Sequence, residues 1–412
     1  MKRVELSLVQ KQNLAMEPSV QVKVNALQSN KKDYWRSLVA YWILGLCNNY
    51  GYVVMLSAAN DILHQQTERN STSTLNGGNT DRDCNYISTG AILLADILPS
   101  LLIKIIAPFL PFFIHIRVLI CVMVASMGFI LVAFSETQWM SITGVVFTAL
   151  CSGLGEASLL QYSSFYDKDV ISTWSSGTGG AGIAGALSYA TLNALGIRTT
   201  LLIMLVVPVT MAISFWIILP RPQVIAVGDT NTLQELPFKE KVRILPSLFK
   251  FMIPIGLVYL FEYFINQGMY ELINFEGIFL NKAEQYRWLQ VDYQIGVFIS
   301  RSSVNIFHIR KIWLMSVFQL INVAFFTTEA IFYYIPSFWI VLALTFWEGL
   351  LGGAAYVNTF YKISNETPEE HKQFSLGATS FADAVGITLA GIIAISAHNS
   401  ICSLPKPQRL ST

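Results

Sequence analysis

Charge is scarce in this chain of 412 residues: only 13% are Asp, Glu, Lys or Arg. A soluble domain carries roughly 25%, so an ordinary water-covered globular surface is excluded. The net charge of +1 offers no basic face, and no nucleic-acid partner is expected. The five histidines, His64, His115, His308, His371 and His398, all fall outside the centres of the apolar runs, and no metal site is expected. The five cysteines, Cys47, Cys84, Cys121, Cys151 and Cys402, lie far apart. They suggest neither a metal-ligand spacing nor a disulfide framework, and those at 47, 121 and 151 read as small buried residues. There is no G-x-S-x-G elbow, H-E-x-x-H pair or P-loop, so neither enzymatic activity nor a cofactor is expected. The first 37 residues lack the apolar core of a signal peptide, which leaves the first span as the insertion signal.

What is abundant is apolar sequence, 53% of the chain. It falls into eleven runs of about the 20 residues a crossing needs, near 38–60, 88–110, 116–135, 138–165, 177–196, 200–219, 248–273, 287–306, 311–333, 335–361 and 374–397. The expected fold is an all-α polytopic membrane protein: an N-terminal tail (1–37), a six-span bundle (38–219), a central loop (220–247), a five-span bundle (248–397) and a tail (398–412). Two bundles joined by a polar, proline-containing loop suit a transporter whose halves rock about a midplane site.

Sidedness follows from Lys and Arg in the connections. Lys31, Lys32, Arg36, Arg117, Lys168, the 220–247 loop, Arg310, Lys311, Lys362 and Lys372 alternate onto one side, taken as cytosolic. The other side receives the long polar loop 61–87, with the glycosylation acceptor Asn70-Ser71-Thr72. Asn365-Glu366-Thr367 falls on the cytosolic side and is expected to go unused, while an eleven-span count puts the final tail in the lumen and a missed or broken span would reverse it.

Polar residues inside spans carry the functional argument. A charge at mid-bilayer costs roughly 2.5 to 3.5 kcal/mol on insertion scales, so it lines a cavity or pairs internally. Asp96, Glu156 and Glu348 are candidates for proton coupling. The candidates for substrate contact are Asn48, Asn49 and Tyr52 in the first span, Glu262, Asn266 and Gln267 in the seventh, Gln294 and Arg301 in the eighth, and Asn358 in the tenth. Glu262 and Asn266 lie one helical turn apart, and Gly349, Gly352 and Gly353 beside Glu348 suggest tight packing or a broken helix. Asn48 reads equally as substrate contact and as interhelical glue. Lys104 lies near a span end, where snorkelling to the interface accounts for it. Arg301 suits an anionic solute, since its planar fork matches carboxylate or phosphate oxygens. The run Gly177-Thr178-Gly179-Gly180-Ala181-Gly182 imitates a dinucleotide fingerprint, but no strand precedes it. Thr178, Gly182, Ala186, Ala190 and Ala194 instead form a stripe along which a neighbouring helix can approach closely. Trp174 reads as part of a gate or as an interfacial anchor.

Leu44-Gly45-Leu46-Cys47-Asn48-Asn49, Val53 to Ala59, Leu94 to Pro99, Trp174 to Gly182, Glu262 to Gly268, Gln285 to Trp288, Ser300 to Ser303 and Glu348 to Phe360 together resemble the battenin family of lysosomal membrane proteins. The likeness runs from about Tyr34 to about His398. It implies an organisation similar to the major facilitator superfamily, residence in late endosomes and lysosomes, and export of glycerophosphodiesters, with effects on lysosomal pH and lipid turnover. It also implies two other roles proposed for the family, basic amino acid transport and a scaffold working with trafficking adaptors. The expected partners are a small anionic solute, protons and the lipid bilayer. Both ends depart from the mammalian pattern: the chain opens Met1-Lys2-Arg3 rather than Met-Gly and closes Arg409-Leu410-Ser411-Thr412 rather than in a Cys-a-a-X box, so lipid anchoring is not expected.

Overall fold

A computed structural model describes residues 31–70, 89–222, 236–407 and 409. Among them there is no strand. The N-terminal half comprises α1 (Lys31–Asn70), α2 (Thr89–Ile106), α3 (Ile114–Ala133), α4 (Gln138–Ser163), α5 (Asp169–Leu192), α6 (Ile197–Ile203) and α7 (Val206–Ile213). The C-terminal half comprises α8 (Phe238–Phe264), α9 (Lys282–Arg301), α10 (Trp313–Phe332), α11 (Phe338–Glu366), α12 (Glu369–Thr379) and α13 (Phe381–Cys402). Eight segments among the described residues are long and apolar enough to cross a membrane; α2, α5 and α9 are not among them, yet they pack in the heart of the bundle. Counting those three as crossings would give the expected eleven.

Several boundaries differ from the expected spans. The first helix starts at Lys31 rather than 38 and runs to Asn70, so the expected loop from 61 begins as helix. Polarity alone does not end a helix, and this stretch has no proline to break it. At its start Tyr34 donates to Asp169 Oδ2 at 2.7 Å, tying α1 to the beginning of α5. The central loop gives way to α8 at Phe238, within the range expected to be loop. The last span is two helices that meet at Ser380. The α11 helix is unbroken, so its glycines serve close packing: a Cβ at Gly349 would strike the Tyr293 carbonyl of α9, and one at Gly296 the Phe346 carbonyl of α11. Close approach also holds for the small-residue stripe of α5, where Gly182 lies on Gln294 of α9.

The halves meet through α2 on α13, α5 on α9 and α11, and α4 on α12. Three contacts across this seam lie at the basic end of the bundle. Phe109 packs on Phe374 with ring centroids 5.5 Å apart, Lys241 Nζ donates to the Pro108 carbonyl at 3.2 Å, and Ser302 donates to Ser176 Oγ at 2.9 Å. Arg117 on α3 is buried rather than solvated, and donates to the Ala107 and Leu110 carbonyls at 2.6 and 2.9 Å. It therefore closes the α2–α3 connection.

At the opposite end the tail folds back over the C-terminal half. The Arg409 guanidinium lies 3.5 Å from the Phe275 ring centroid and 5.1 Å from that of Tyr333, and Nη1 pairs with Glu329 at 2.8 Å. Arg409 also donates to the Ile335 and Asn274 carbonyls. Lys406 donates to Glu276 at 2.7 Å, and that bond and the lysine's charge hold the Glu276 carboxyl below its usual range. A groove of about 1200 Å³ runs beside this tail, lined by Phe279, Trp288, Trp339 and Leu342.

The cysteines require a correction. Cys47, Cys121 and Cys151 are free and buried as expected, but Cys402 is disulfide-bonded. Pairing depends on proximity in space, which spacing along the chain does not reveal. Such bonds persist on the oxidising side of a membrane. A maleimide is therefore expected to label Cys402 only after reduction, and only from the side opposite the basic end; labelling of the unreduced protein from the cytosol would contradict this placement.

Candidate functional site

Polar side chains in a dry bundle have to satisfy one another, and three of those singled out from the sequence, Arg301, Glu156 and Lys104, join one connected group at the seam. Its centre is Arg301, at the last position of α9 and 9% exposed. Nη1 donates to Thr178 Oγ1 of α5 at 2.6 Å and Nη2 to the Tyr259 hydroxyl of α8 at 2.7 Å. The guanidinium lies over the Tyr356 ring, 4.3 Å from its centroid. None of the ion pairs among the described residues includes Arg301, and its Nε has no hydrogen-bond partner. Glu156 and Glu262 lie within electrostatic range but not in contact.

Tyr356 links this arginine to a buried ion cluster. Its hydroxyl donates to Glu156 Oε1 at 2.5 Å and accepts from Trp174 Nε1 at 3.2 Å. Lys104 Nζ is 2.7 Å from the other Glu156 oxygen and 3.1 Å from Asp383 on α13. Lys104 therefore does not snorkel: it is 3% exposed, because two carboxylates from different helices hold it inside. Trp174 is fully buried and is not an interfacial anchor.

The remaining acidic residues surround this cluster. Glu262 accepts from the Tyr293 hydroxyl of α9, and Gly352 of α11 leaves the room its carboxylate occupies. Glu348 accepts from Tyr270 at 2.6 Å. Asp96 is buried with neither oxygen hydrogen-bonded, while Tyr52 and Tyr263 face each other nearby. Asn266 and Gln267 lie on a π turn, Ile265–Met269, that continues α8. The expected one-turn spacing from Glu262 to Asn266 is therefore not that of a regular helix. Turns of this kind occur frequently at functional sites, and the Asn266 Oδ1 here is buried without a partner.

Other residues expected at the site have different roles. Asn48 Nδ2 donates to the Ser152 carbonyl at 3.0 Å and to Asn49 Oδ1 at 3.2 Å, joining α1 to α4, so the interhelical reading holds for that group. Gln294 packs on Gly182 at the α5–α9 contact. Asn358 is engaged within its own half: Oδ1 accepts from Ile309 N at 2.7 Å and Nδ2 donates to the Ala354 carbonyl at 2.9 Å, so it braces the α9–α10 connection. Sequence reasoning missed Asp383, Tyr259, Tyr293 and Tyr356. Asp383 carried the same signal as Asp96, a carboxylate in an apolar run, but it sits early in its span. No group of three or more His, Cys, Asp or Glu residues among the described positions could hold a metal ion.

A profile described as CLN3 protein matches residues 39–235 and 226–404. The chain belongs to the CLN3 protein family. Its relatives in that family include "Battenin" of the dog, 42% identical over 91% of this chain and 93% of that protein. "Protein btn1" of Aspergillus fumigatus is 35% identical, covering 89% of this chain and 88% of that one. Among solved structures, the human organic anion transporter MFSD10 superposes with TM-score 0.55 at 10% identity, over 91% of this chain and 97% of that one. The Escherichia coli fucose:proton symporter gives 0.52 at 12% identity, over 89% and 98%. This member of the CLN3 family is thus a multi-pass membrane protein with the fold of major facilitator transporters.

Proposed function

We propose that the chain exports a small anionic solute of the glycerophosphodiester type from the lysosome by alternating access, through eleven crossings with the basic end in the cytosol and the tail after α13 in the lumen. Arg301 is the observation that carries this reading. A buried guanidinium with no carboxylate in contact and one N–H unused is a binding place for an anion. Thr178 holds it from one half and Tyr259 and Tyr356 from the other, so an anion seated there touches both moving parts. The lysosome comes from the family resemblance. Proton coupling is favoured by the surplus of buried acid: among the described residues Asp96, Glu156, Glu262, Glu348 and Asp383 are buried in the bundle with Lys104 and Arg301, while the other buried cations, Arg117 and Lys241, donate to backbone carbonyls at the basic end. Unpaired carboxylates do not stay ionised in a dry interior.

Basic amino acid export rests on a different observation, the unpartnered oxygens of Asp96. A trafficking scaffold rests on none in the bundle. Purified protein in liposomes is expected to take up labelled glycerophosphoglycerol and leave lysine and arginine behind. Uptake of the amino acids alone would replace the anionic reading by the cationic one, and uptake of neither across any pH gradient would remove both.

A further inference from the structure

The Lys104 cluster is divided unequally between the halves. Lys104 on α2 and Glu156 on α4 belong to the N-terminal half, while Asp383 on α13 is the acidic member from the C-terminal half. Lys104 Nζ meets both Asp383 oxygens at 3.1 Å across the seam, and Glu156 Oε2 at 2.7 Å within its own half. These side chains are 4%, 8% and 6% exposed, so water does not compete for them. The seam contacts described above, Phe109 on Phe374 and Ser302 on Ser176, lie toward the same basic end.

When the halves part at that end, the two carboxylates fare differently. Lys104 and Glu156 separate from the C-terminal half together and stay paired, with no net charge between them. Asp383 is left behind. The groups that face it are Lys104 from α2, Glu156 from α4, Tyr52 from α1, Tyr259 and Tyr263 from α8, and Tyr356 from α11. Lys104 is the one cation among these, and the backbone N–H of Ala384, 2.6 Å from Oδ1, is a neutral donor. An ionised carboxylate stripped of its partner in such a place is costly unless it takes a proton.

We propose that Asp383 is the residue through which a proton opens this transporter at its basic end: ionised, it clasps Lys104 and holds the halves together, and protonated, it lets them part. The proposal rests on the transporter reading and deepens it. The proton comes from the bulk solution, adds to one Asp383 oxygen, and breaks the ion pair without any covalent change to the chain. Asp383 is then a positioning residue for the motion and need not touch the solute.

The test follows the motion itself and requires no substrate. Spin labels on Leu110→Cys and Ile306→Cys, exposed positions on opposite halves at the basic end, report their separation in the full chain in lipid nanodiscs. On acidification the ratio of separated to closed molecules is expected to rise by up to about tenfold per pH unit, the limit for one proton. Asp383→Asn, fixed in a neutral form, is expected to show the separated population at neutral and acidic pH alike, and Asp383→Glu to restore the pH response. The proposal is overturned if the otherwise unsubstituted chain shows no pH response, if Asp383→Asn keeps the full response, or if Asp383→Asn stays closed at both values. A pH response that persists while no anion is transported would leave the clasp standing and sink the substrate reading instead.

Discussion

Arg301→Ala is expected to remove anion uptake almost entirely while leaving a folded, monodisperse protein. Truncating one partner of a buried, hydrogen-bonded charge pair costs roughly 2 to 5 kcal/mol. At about 1.4 kcal/mol per decade, that is a loss of about 30-fold to several thousand-fold in affinity for the bound anion. The free protein loses less, because the arginine has no carboxylate partner to strand; what disappears are donations to Thr178 and Tyr259 and the stack on Tyr356. Arg301→Lys is expected to recover only a small part. An ammonium can supply charge, but it cannot lie flat on Tyr356 while donating to hydroxyls on α5 and α8. Initial rates of glycerophosphoglycerol uptake over a range of concentrations would read the effect, which is expected mainly in the half-saturation concentration. Uptake by Arg301→Ala at the normal rate and affinity would eliminate this residue as the anion site.

The second large effect is on stability. Lys104→Ala leaves Glu156 and Asp383 facing each other without a cation, and breaking a buried ion cluster by removing one partner costs roughly 3 to 5 kcal/mol. Most of that is the penalty for the stranded carboxylates, so it should shrink when they are neutralised. A variant carrying Lys104→Met, Glu156→Gln and Asp383→Asn is therefore expected to melt closer to the natural protein than Lys104→Ala does. Acid should narrow the deficit of Lys104→Ala for the same reason. Thermal melting followed by size-exclusion chromatography in detergent would decide it. A single variant as stable as the natural chain would mean that water reaches the cluster and that the carboxylates never lose their solvation.

The sequence disclosed the two-bundle helical fold through its long apolar runs, and it disclosed the buried charges of the candidate site because ionised groups are rare enough inside spans to stand out individually. Asp96, Glu156, Glu262, Arg301 and Glu348 were all found this way. Partners were harder to read. Tyr259, Tyr293 and Tyr356 provide much of the hydrogen bonding in the cluster, but a tyrosine in a span counts as apolar and shows its hydroxyl only when a neighbour is known. The bracing bonds of Asn358 were not legible either, because α11 is buried on many sides and its sequence pattern does not say which face meets the seam. Lys104 misled for a related reason: whether a long cation reaches water or turns inward depends on Glu156 and Asp383, contributed by helices far along the chain. The Cys402 bond belongs to the same class of tertiary fact.

The clamp on Arg409 bears on how the protein can be handled. A reporter or affinity handle fused within three residues of that arginine is tethered by about 10 Å of chain at most, against the surface formed by Phe275, Tyr333 and Ile335. If the handle draws the arginine out, Glu329, whose side chain is fully buried, loses its cation and the end of α10 is left carrying an uncompensated acid. Behaviour measured on a chain tagged there would then belong to a partly unfastened molecule, and a flexible spacer ahead of the tag would be the first remedy.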